Sequence, residues 1–532
     1  MCGFNLKDSP IIPEFQMHEK GLADNELDMI QKELIIEAKK NKNRFMEFTD
    51  VVIKLGRDKD FEKFSRSFQA ICAKACFLRG MYNLNQELAK RTDCIACRGY
   101  AAAAYCRQSL NPRWLNNLRN YVNQGWQSKQ YIIYAELAGQ LAGVLIDLGY
   151  AEHALDVAND SIEKVTKATM KDEEIRRHVQ LALLRPRIIM AYISGSALSR
   201  DEALIRLDSA EETANLLDHR LAIADIQYYR ARTFEEFSEI DRAIDLVKSS
   251  MRKYERMGHL QGLAQAGNLL GILMLDKGLL QDARDQFEDI MLVQHQLNNQ
   301  IGVANTLINV GEIDRVLGQL DNMERYNQRA LEISQEAEYV KGIATAKINL
   351  GDVELRRGQI EESKKTYDEA IRIGEKSGQK AILTLAYFLS GDACFISQDY
   401  KEAIQYYESA GKVSKDVGYP LREFNAEISK LITHLEMEVK PDNDSVRLIR
   451  NILGESSEWT SIQDSSHMID IRRTIFENPN IQSDTCIFYD PEKNFECRVE
   501  RTTMKKECFG NLFWQGTLCP YFADFIATLD SQ

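Results

Sequence analysis

The chain has 532 residues, too many for one ordinary core, so an elongated array or several parts are expected. Its net charge is −13, with 44% hydrophobic and 28% charged residues. An acidic chain without a basic stripe argues against a nucleic-acid partner, because phosphate binding needs clustered Lys and Arg.

The opening MCGFNLKDSPIIPEF holds no apolar run of signal-peptide length, and its glycine is Gly3, which does not fit a myristoylation start. No stretch reaches the roughly 18–20 apolar residues that span a bilayer. The expected location is the cytoplasm, with no membrane partner. There the 11 cysteines are expected as thiols or metal ligands rather than disulfides.

Residues 1–59 read as a lead-in and helical cap. The first part, with Pro10 and Pro13, looks irregular, and apolar residues at helical spacing follow from Asp24 to Lys54. Residues 60–220 read as degenerate helical repeats. FEKFSRSFQAICAKACFLRG and MYNLNQELAKR form a helix pair broken at Gly80, and Asn111-Pro112 stops the Ala-rich helix before it. Ala135, Ala142, Gly149 and Ala154 then take the same mutual offsets as Ala264, Gly271, Gly278 and Ala283. Pro186 is expected to kink a helix or shorten its start.

Residues 221–438 repeat themselves about every 40 residues, and a fixed period of this size is the signature of a solenoid. One column is Ala224, Ala264, Ala304 and Ala344; a second is Gly271, Gly311, Gly351 and Gly391; a third is Gly278, Gly318 and Gly358. Each unit splits into a helix A, a turn at the third glycine, and a helix B. Helix B carries the small or apolar columns Ala243, Ala283, Met323, Ser363, Ala403 and Ser250, Ile290, Ala330, Ala370, Ala410, with Phe287, Tyr367 and Tyr407 between them. Small residues seven apart let helices approach closely, and the aromatic fills the gap between layers. Residues 439–480 read as a linker and capping helix, and 481–532 as a Cys-rich module.

The pattern Asn349-Leu350-Gly351, Gly358, Tyr367, Ala370 resembles the tetratricopeptide repeat (TPR). The 40-residue period is similar to the variant in LGN/Pins scaffolds, kinesin light chain and MalT-type regulators. The resemblance implies an all-α fold, a right-handed superhelical solenoid of antiparallel helix pairs, here with a small Cys-rich α+β module at its C-terminal end. It also implies a groove lined by the A helices that binds a peptide or helix of another protein. The family's contact position after Leu-Gly falls on Ile272, Glu312, Asp352 and Asp392. A row of carboxylates would favour a basic or amide-rich peptide. Asn309 and Asn349 offer amides to an extended backbone, and Arg315 begins a column that becomes apolar at Leu355 and Phe395. The same acids also fit ordinary solvated helix positions, and the same asparagines could bond a neighbouring repeat. Chaperone-binding TPRs that clamp a carboxylate use Lys, Asn and Arg at these positions, so the acids here argue against co-chaperone work.

Cys486, Cys497, Cys508 and Cys519 follow one another at 11-residue intervals. Four thiolates in so short a window suit a structural metal site, either Zn2+ or a 4Fe-4S cluster. IFYDPEKNFECRV reads as a hairpin at Asp490-Pro491 that would bring Cys486 towards Cys497. Disulfides and free buried thiols are the other readings. Cys72 and Cys76 lie four apart, Cys94 and Cys97 form a C-x-x-C, and with Cys106 they too could bind metal, although buried helix packing explains them as well.

No P-loop, nucleophile elbow, metalloprotease motif or Rossmann glycine pattern occurs, and His178, His219, His259 and His295 stand singly within repeats. The expectation is a non-enzymatic scaffold or adaptor. A metal- or Fe-S-dependent redox or regulatory protein, with its chemistry in the tail, is the alternative. The oligomeric state is not encoded in any of these patterns.

Overall fold

The computed structural model describes residues 11–37, 43–108, 112–196, 200–236 and 239–417, isolated residues between 423 and 437, and five two-residue strands between 489 and 518. The described residues divide into two compact units. The first lies within 1–313 and 332–339, the second within 314–331 and 340–532.

The first unit opens with a 3-10 helix, η1 (Pro13–Gly21), then α1 (Asp24–Glu37), α2 (Arg44–Gly56), α3 (Arg66–Leu78), α4 (Tyr82–Lys90), α5 (Ile95–Gln108) and α6 (Pro112–Gln127). Next come α7 (Tyr131–Asp147), α8 (Ala151–Thr169), α9 (Glu173–Ala182), α10 (Leu184–Ser196), α11 (Arg200–Leu216), α12 (Arg220–Glu236), α13 (Ile240–Met257), α14 (Leu260–Asp276) and α15 (Leu280–Gln296). The unit boundary falls within α16 (Gln300–Val316) and α17 (Leu320–Glu336). The second unit continues with α18 (Val340–Arg356), α19 (Ile360–Ser377), α20 (Lys380–Ile396) and α21 (Tyr400–Val417). The array of helix pairs is the expected all-α repeat fold. The prolines act at starts: Pro112 opens α6, and Pro186 stands in the first turn of α10, where its missing N–H costs nothing.

Both helix-B columns are buried, from Ala243 and Ala283 to Ala403 and from Ser250 to Ala410. The second glycine column exists for close approach. A Cβ on Gly271 would lie 2.5 Å from the Phe287 ring, on Gly351 2.7 Å from Tyr367, and on Gly391 2.5 Å from Tyr407. The third column exists for backbone conformation: φ is +77° at Gly278, +69° at Gly318 and +77° at Gly358. The next member of that column is Gln398, held at φ +66°. That is an unfavourable place for a residue with a Cβ.

The expectation of an irregular lead-in is corrected over Pro13–Gly21, which form η1, and its first ten residues lie outside the described residues. Residues 11–18 are among the most buried of the first unit: Ile11, Ile12, Phe15 and Met17 are buried, and Phe15 packs 5.1 Å from Phe48 and 6.3 Å from Phe45. Pro13 does not prevent this, because it sits at the first position of η1.

Beyond 437 the described residues are strands. Tyr489–Asp490 pairs antiparallel with Glu496–Cys497, which pairs with Thr502–Thr503; Phe513–Trp514 pairs with Thr517–Leu518. Tyr489 faces Cys497 in register. Cys486, Cys508, Cys519, the side chain of Cys497 and the proposed capping helix lie outside the described residues. Among the described residues no helix is long and apolar enough to cross a membrane.

Candidate functional site

One residue beyond the small A-helix column, the first unit carries a polar residue in each A helix: Arg185 in α10, Asp225 in α12, Gln265 in α14 and Asn305 in α16, spaced by 40. Glu136 stands in the same relation to Ala135 in α7. The column is buried or half-buried and is satisfied from within. Lys74 of α3 meets Glu136 at 2.6 Å and His18 meets it at 2.9 Å. Burial alone would raise the Glu136 pKa, but Lys74 and His18 outweigh it and hold the carboxyl at about 2. Arg185 lies 3.2 Å from Asp225, which also accepts from the Tyr254 hydroxyl at 2.6 Å. Asp147 accepts from Arg107 at 2.7 Å and from Gln265 at 3.0 Å. Removing one partner of such a buried pair leaves the other charge stranded, at a cost of about 3–5 kcal/mol.

The lead-in docks on this column. Lys74 donates to the Glu14 carbonyl at 2.6 Å as well as to Glu136, and the Arg220 backbone N–H donates to the Glu14 carboxylate at 3.0 Å. Three buried polar groups of residues 14–18 therefore meet α3, α7 and the start of α12.

A second column caps the A helices. His219 Nδ1 accepts from the Ala222 N–H at 3.1 Å, His259 Nδ1 accepts from Gly262 at 2.9 Å, and Asn299 Oδ1 accepts from Gly302 at 3.1 Å. The cap requires an unprotonated Nδ1. Burial, helped by Lys74 at His219 and by Arg185 and Arg107 at His259, pushes both imidazoles down to about 3.

The sequence-predicted contact residues are placed as follows. Asp352 is buried and accepts from Arg356 at 3.0 Å. Asp392 is buried and accepts from the Tyr407 hydroxyl at 2.8 Å. These two carboxylates are thus spent within the repeat rather than presented to a ligand. The signal is in the sequence: where helix B carries Phe287, which has no hydroxyl, the matching A-helix residue is Ile272, and where it carries Tyr407 it is Asp392. Asn309 donates to Asn268 at 2.9 Å and Asn349 donates to Asn327 at 3.0 Å. Asn309, Glu312, Arg315 and Asn349 are all half-buried. Sequence reasoning misses the polar column of Arg185, Asp225, Gln265 and Asn305, although its 40-residue spacing is visible.

Cys72, Cys76, Cys94, Cys97 and Cys106 are buried thiols. Among the described residues, which include these cysteines, no group of three or more His, Cys, Asp or Glu side chains is arranged to hold a metal ion.

Paired helices with buried small columns and glycine turns define a helical-repeat protein. Residues 342–415, from most of α18 through most of α21, match the tetratricopeptide repeat family. No curated protein sequence matches the chain. Among solved structures, a Rap protein complexed with competence and sporulation factor is 14% identical over 60% of this chain and 98% of its own, with a TM-score of 0.45. Aspartyl phosphate phosphatase F from Bacillus subtilis is 13% identical over 71% of this chain and 94% of its own, with a TM-score of 0.43. BtubC from P. vanneervenii is 15% identical over 47% of this chain and 98% of its own, with a TM-score of 0.33. Likenesses at this level carry no functional weight.

Proposed function

We propose that the chain is a non-enzymatic adaptor that binds a peptide or helix of another protein along its A helices. The reading rests on the tetratricopeptide repeat over residues 342–415, an architecture whose repeated helices form extended binding surfaces. In the second unit, the half-buried Thr345 and Asn349 of α18 and Leu385 of α20 supply that surface. Lys347 and Tyr387 are turned to α19, where they meet Glu369 at 2.6 Å and Glu375 at 3.1 Å. Asn349 commits one amide hydrogen to Asn327, and its oxygen and second hydrogen suit the backbone of an extended peptide. In the first unit, Asn309, Glu312 and, just beyond the boundary, Arg315 are the proposed counterparts.

With Asp352 and Asp392 held inside, amide and apolar contacts replace the carboxylate row as the basis of recognition. A photo-crosslinking residue at Thr345 should give a discrete protein adduct in cells. The same residue at the exposed Lys365 of α19 should not. Equal labelling from both positions, or none from Thr345, would reject the A-helix surface.

A further inference from the structure

Cys94 and Cys97 stand apart from the other thiols of the first unit. Cys94 immediately precedes α5, and its carbonyl accepts from the Arg98 N–H at 3.1 Å, so it is the N-cap. Its sulfur lies beside the Cys97 thiol, the backbone N–H groups of Cys97 and Ala96 and the Arg66 guanidinium, and its S–H is directed at the Arg66 carbonyl, 3.8 Å away. The Cys97 S–H donates to the Gln69 carbonyl at 3.3 Å. A frame holds the pair in place: the Cys94 N–H donates to Thr92 Oγ1 at 3.1 Å, and that hydroxyl meets Arg66 at 2.8 Å and Gln69 at 2.6 Å. Cys94 keeps 6% exposure beside the Arg66–Asp93 ion pair, whose side chains are 58% and 69% exposed. Cys72 and Cys76 are fully buried in α3, and the Cys72 thiol points at the Val52 carbonyl at 3.2 Å.

We infer that Cys94 and Cys97 form a redox-active dithiol that closes to a disulfide on exposure to a peroxide. A thiol at a helix N-cap faces the positive end of the macrodipole and unpaired N–H donors, both of which favour thiolate. The spacing of three places the second sulfur one turn along, within reach of a C-x-x-C bridge. S–H donation from Cys97, the adjacent N–H groups and Arg66 together overcome burial and bring Cys94 down to about 7. Burial pushes Cys76 and Cys106 up to about 12.

The Cys94 thiolate attacks one peroxide oxygen; the O–O bond breaks, hydroxide leaves, and Cys94 becomes a sulfenic acid. The Cys97 sulfur then attacks the Cys94 sulfur. The S–S bond forms, the S–O bond breaks, and the hydroxyl leaves as water with the Cys97 proton. Hydroxide takes up the proton released when Cys94 ionised, so the two thiols give up two electrons and peroxide becomes water. Closure removes the Cys97 S–H from the Gln69 carbonyl, which makes the α3–α5 contact the place where oxidation is felt.

The test uses the reduced full-length chain. Iodoacetamide at pH 7 should modify Cys94 at least about tenfold faster than Cys72, Cys76 or Cys106, because the thiolate fraction outweighs the loss of intrinsic nucleophilicity. In a separate, unalkylated sample, stoichiometric hydrogen peroxide should convert the tryptic peptide 92–98, which holds both cysteines, to a species lighter by two hydrogens. Cys97→Ser should leave a dimedone-reactive sulfenic acid at Cys94. Alkylation of Cys94 no faster than of the other three, or oxidation that spares peptide 92–98, would overturn the assignment. Both of those readings come from the unmodified sequence, so they hold even if the variant fails to fold.

Discussion

The two buried histidine caps make a specific demand on pH. His219 and His259 accept N–H bonds through Nδ1, and burial holds each near pKa 3, against about 6.5 in an unfolded chain. Between those values the unfolded chain binds protons that the folded chain refuses, so stability falls as pH falls. The caps are fully effective above about pH 6.5 and are lost towards about pH 3. At pH 5.5 each histidine costs about 1.4 kcal/mol, or about 2.8 kcal/mol for both. Asn299 performs the same capping task without titrating. The double substitution His219→Asn and His259→Asn should therefore keep stability near wild type at pH 7.5 and abolish the loss at pH 5.5. Urea unfolding read through tryptophan fluorescence reports it, since Trp114 and Trp126 lie in α6. Glu14 and Asp225, whose pKa values burial raises, titrate in both proteins and cancel in the difference. A double variant that loses as much as wild type on going to pH 5.5 would refute the reasoning.

Other outcomes follow from the repeat geometry. Tyr407→Phe removes a donor from the buried Asp392 and should destabilise the second unit by about 2 kcal/mol, as should Asp392→Ile alone. The two together recreate the Phe287–Ile272 arrangement and should recover most of that loss; additivity within about 0.5 kcal/mol in hydrogen exchange of α20 and α21 would count against the pairing. Gln398→Gly relieves a left-handed backbone at φ +66° and should stabilise by about 1 kcal/mol, read as a raised melting temperature; no rise would show that the site is unstrained. Cys486, Cys497, Cys508 and Cys519 are proposed as metal ligands. Purified protein should then carry zinc or iron that is lost when Cys497 and Cys508 are both replaced by serine, and metal-free wild type would dismiss the site.

The period of 40 makes the helix pairs, their glycine turns and their buried small columns legible, because each repeat solves the same packing problem with the same residue sizes. What a periodic pattern does not carry is the direction in which a polar side chain finds its partner. Asp352 and Asp392 occupy the family's contact position, yet one is satisfied by Arg356, a turn further along, and the other by Tyr407 on the following helix. Alternation within the column, Ile272 with Phe287 against Asp392 with Tyr407, holds that answer. The lead-in escapes a sequence reading for another reason. Pro10 and Pro13 suggest loop, whereas Ile11, Ile12, Phe15 and Met17 are buried, and Phe15 packs on Phe45 and Phe48 of α2, which no local window sees. His219 and His259 read as structural from their isolation, but nothing local shows that they cap.

The lead-in has a consequence for how the chain is made. Glu14 is held by the N–H of Arg220, 206 residues later. A ribosome adding roughly 5–20 residues per second delivers that partner about 10–40 s after Glu14 has emerged. For most of that interval α9, which with α3 packs on η1, has not been made, so Ile11, Ile12, Phe15 and Met17 lack part of their cover. A nascent chain of this protein exposes part of this apolar N-terminal stretch until α9 appears. A chaperone that shields short apolar segments would therefore find its substrate here early in synthesis rather than in the regular repeats that follow. For the same reason, removing everything ahead of Gly21 is a core deletion, even though it looks on paper like trimming a tail.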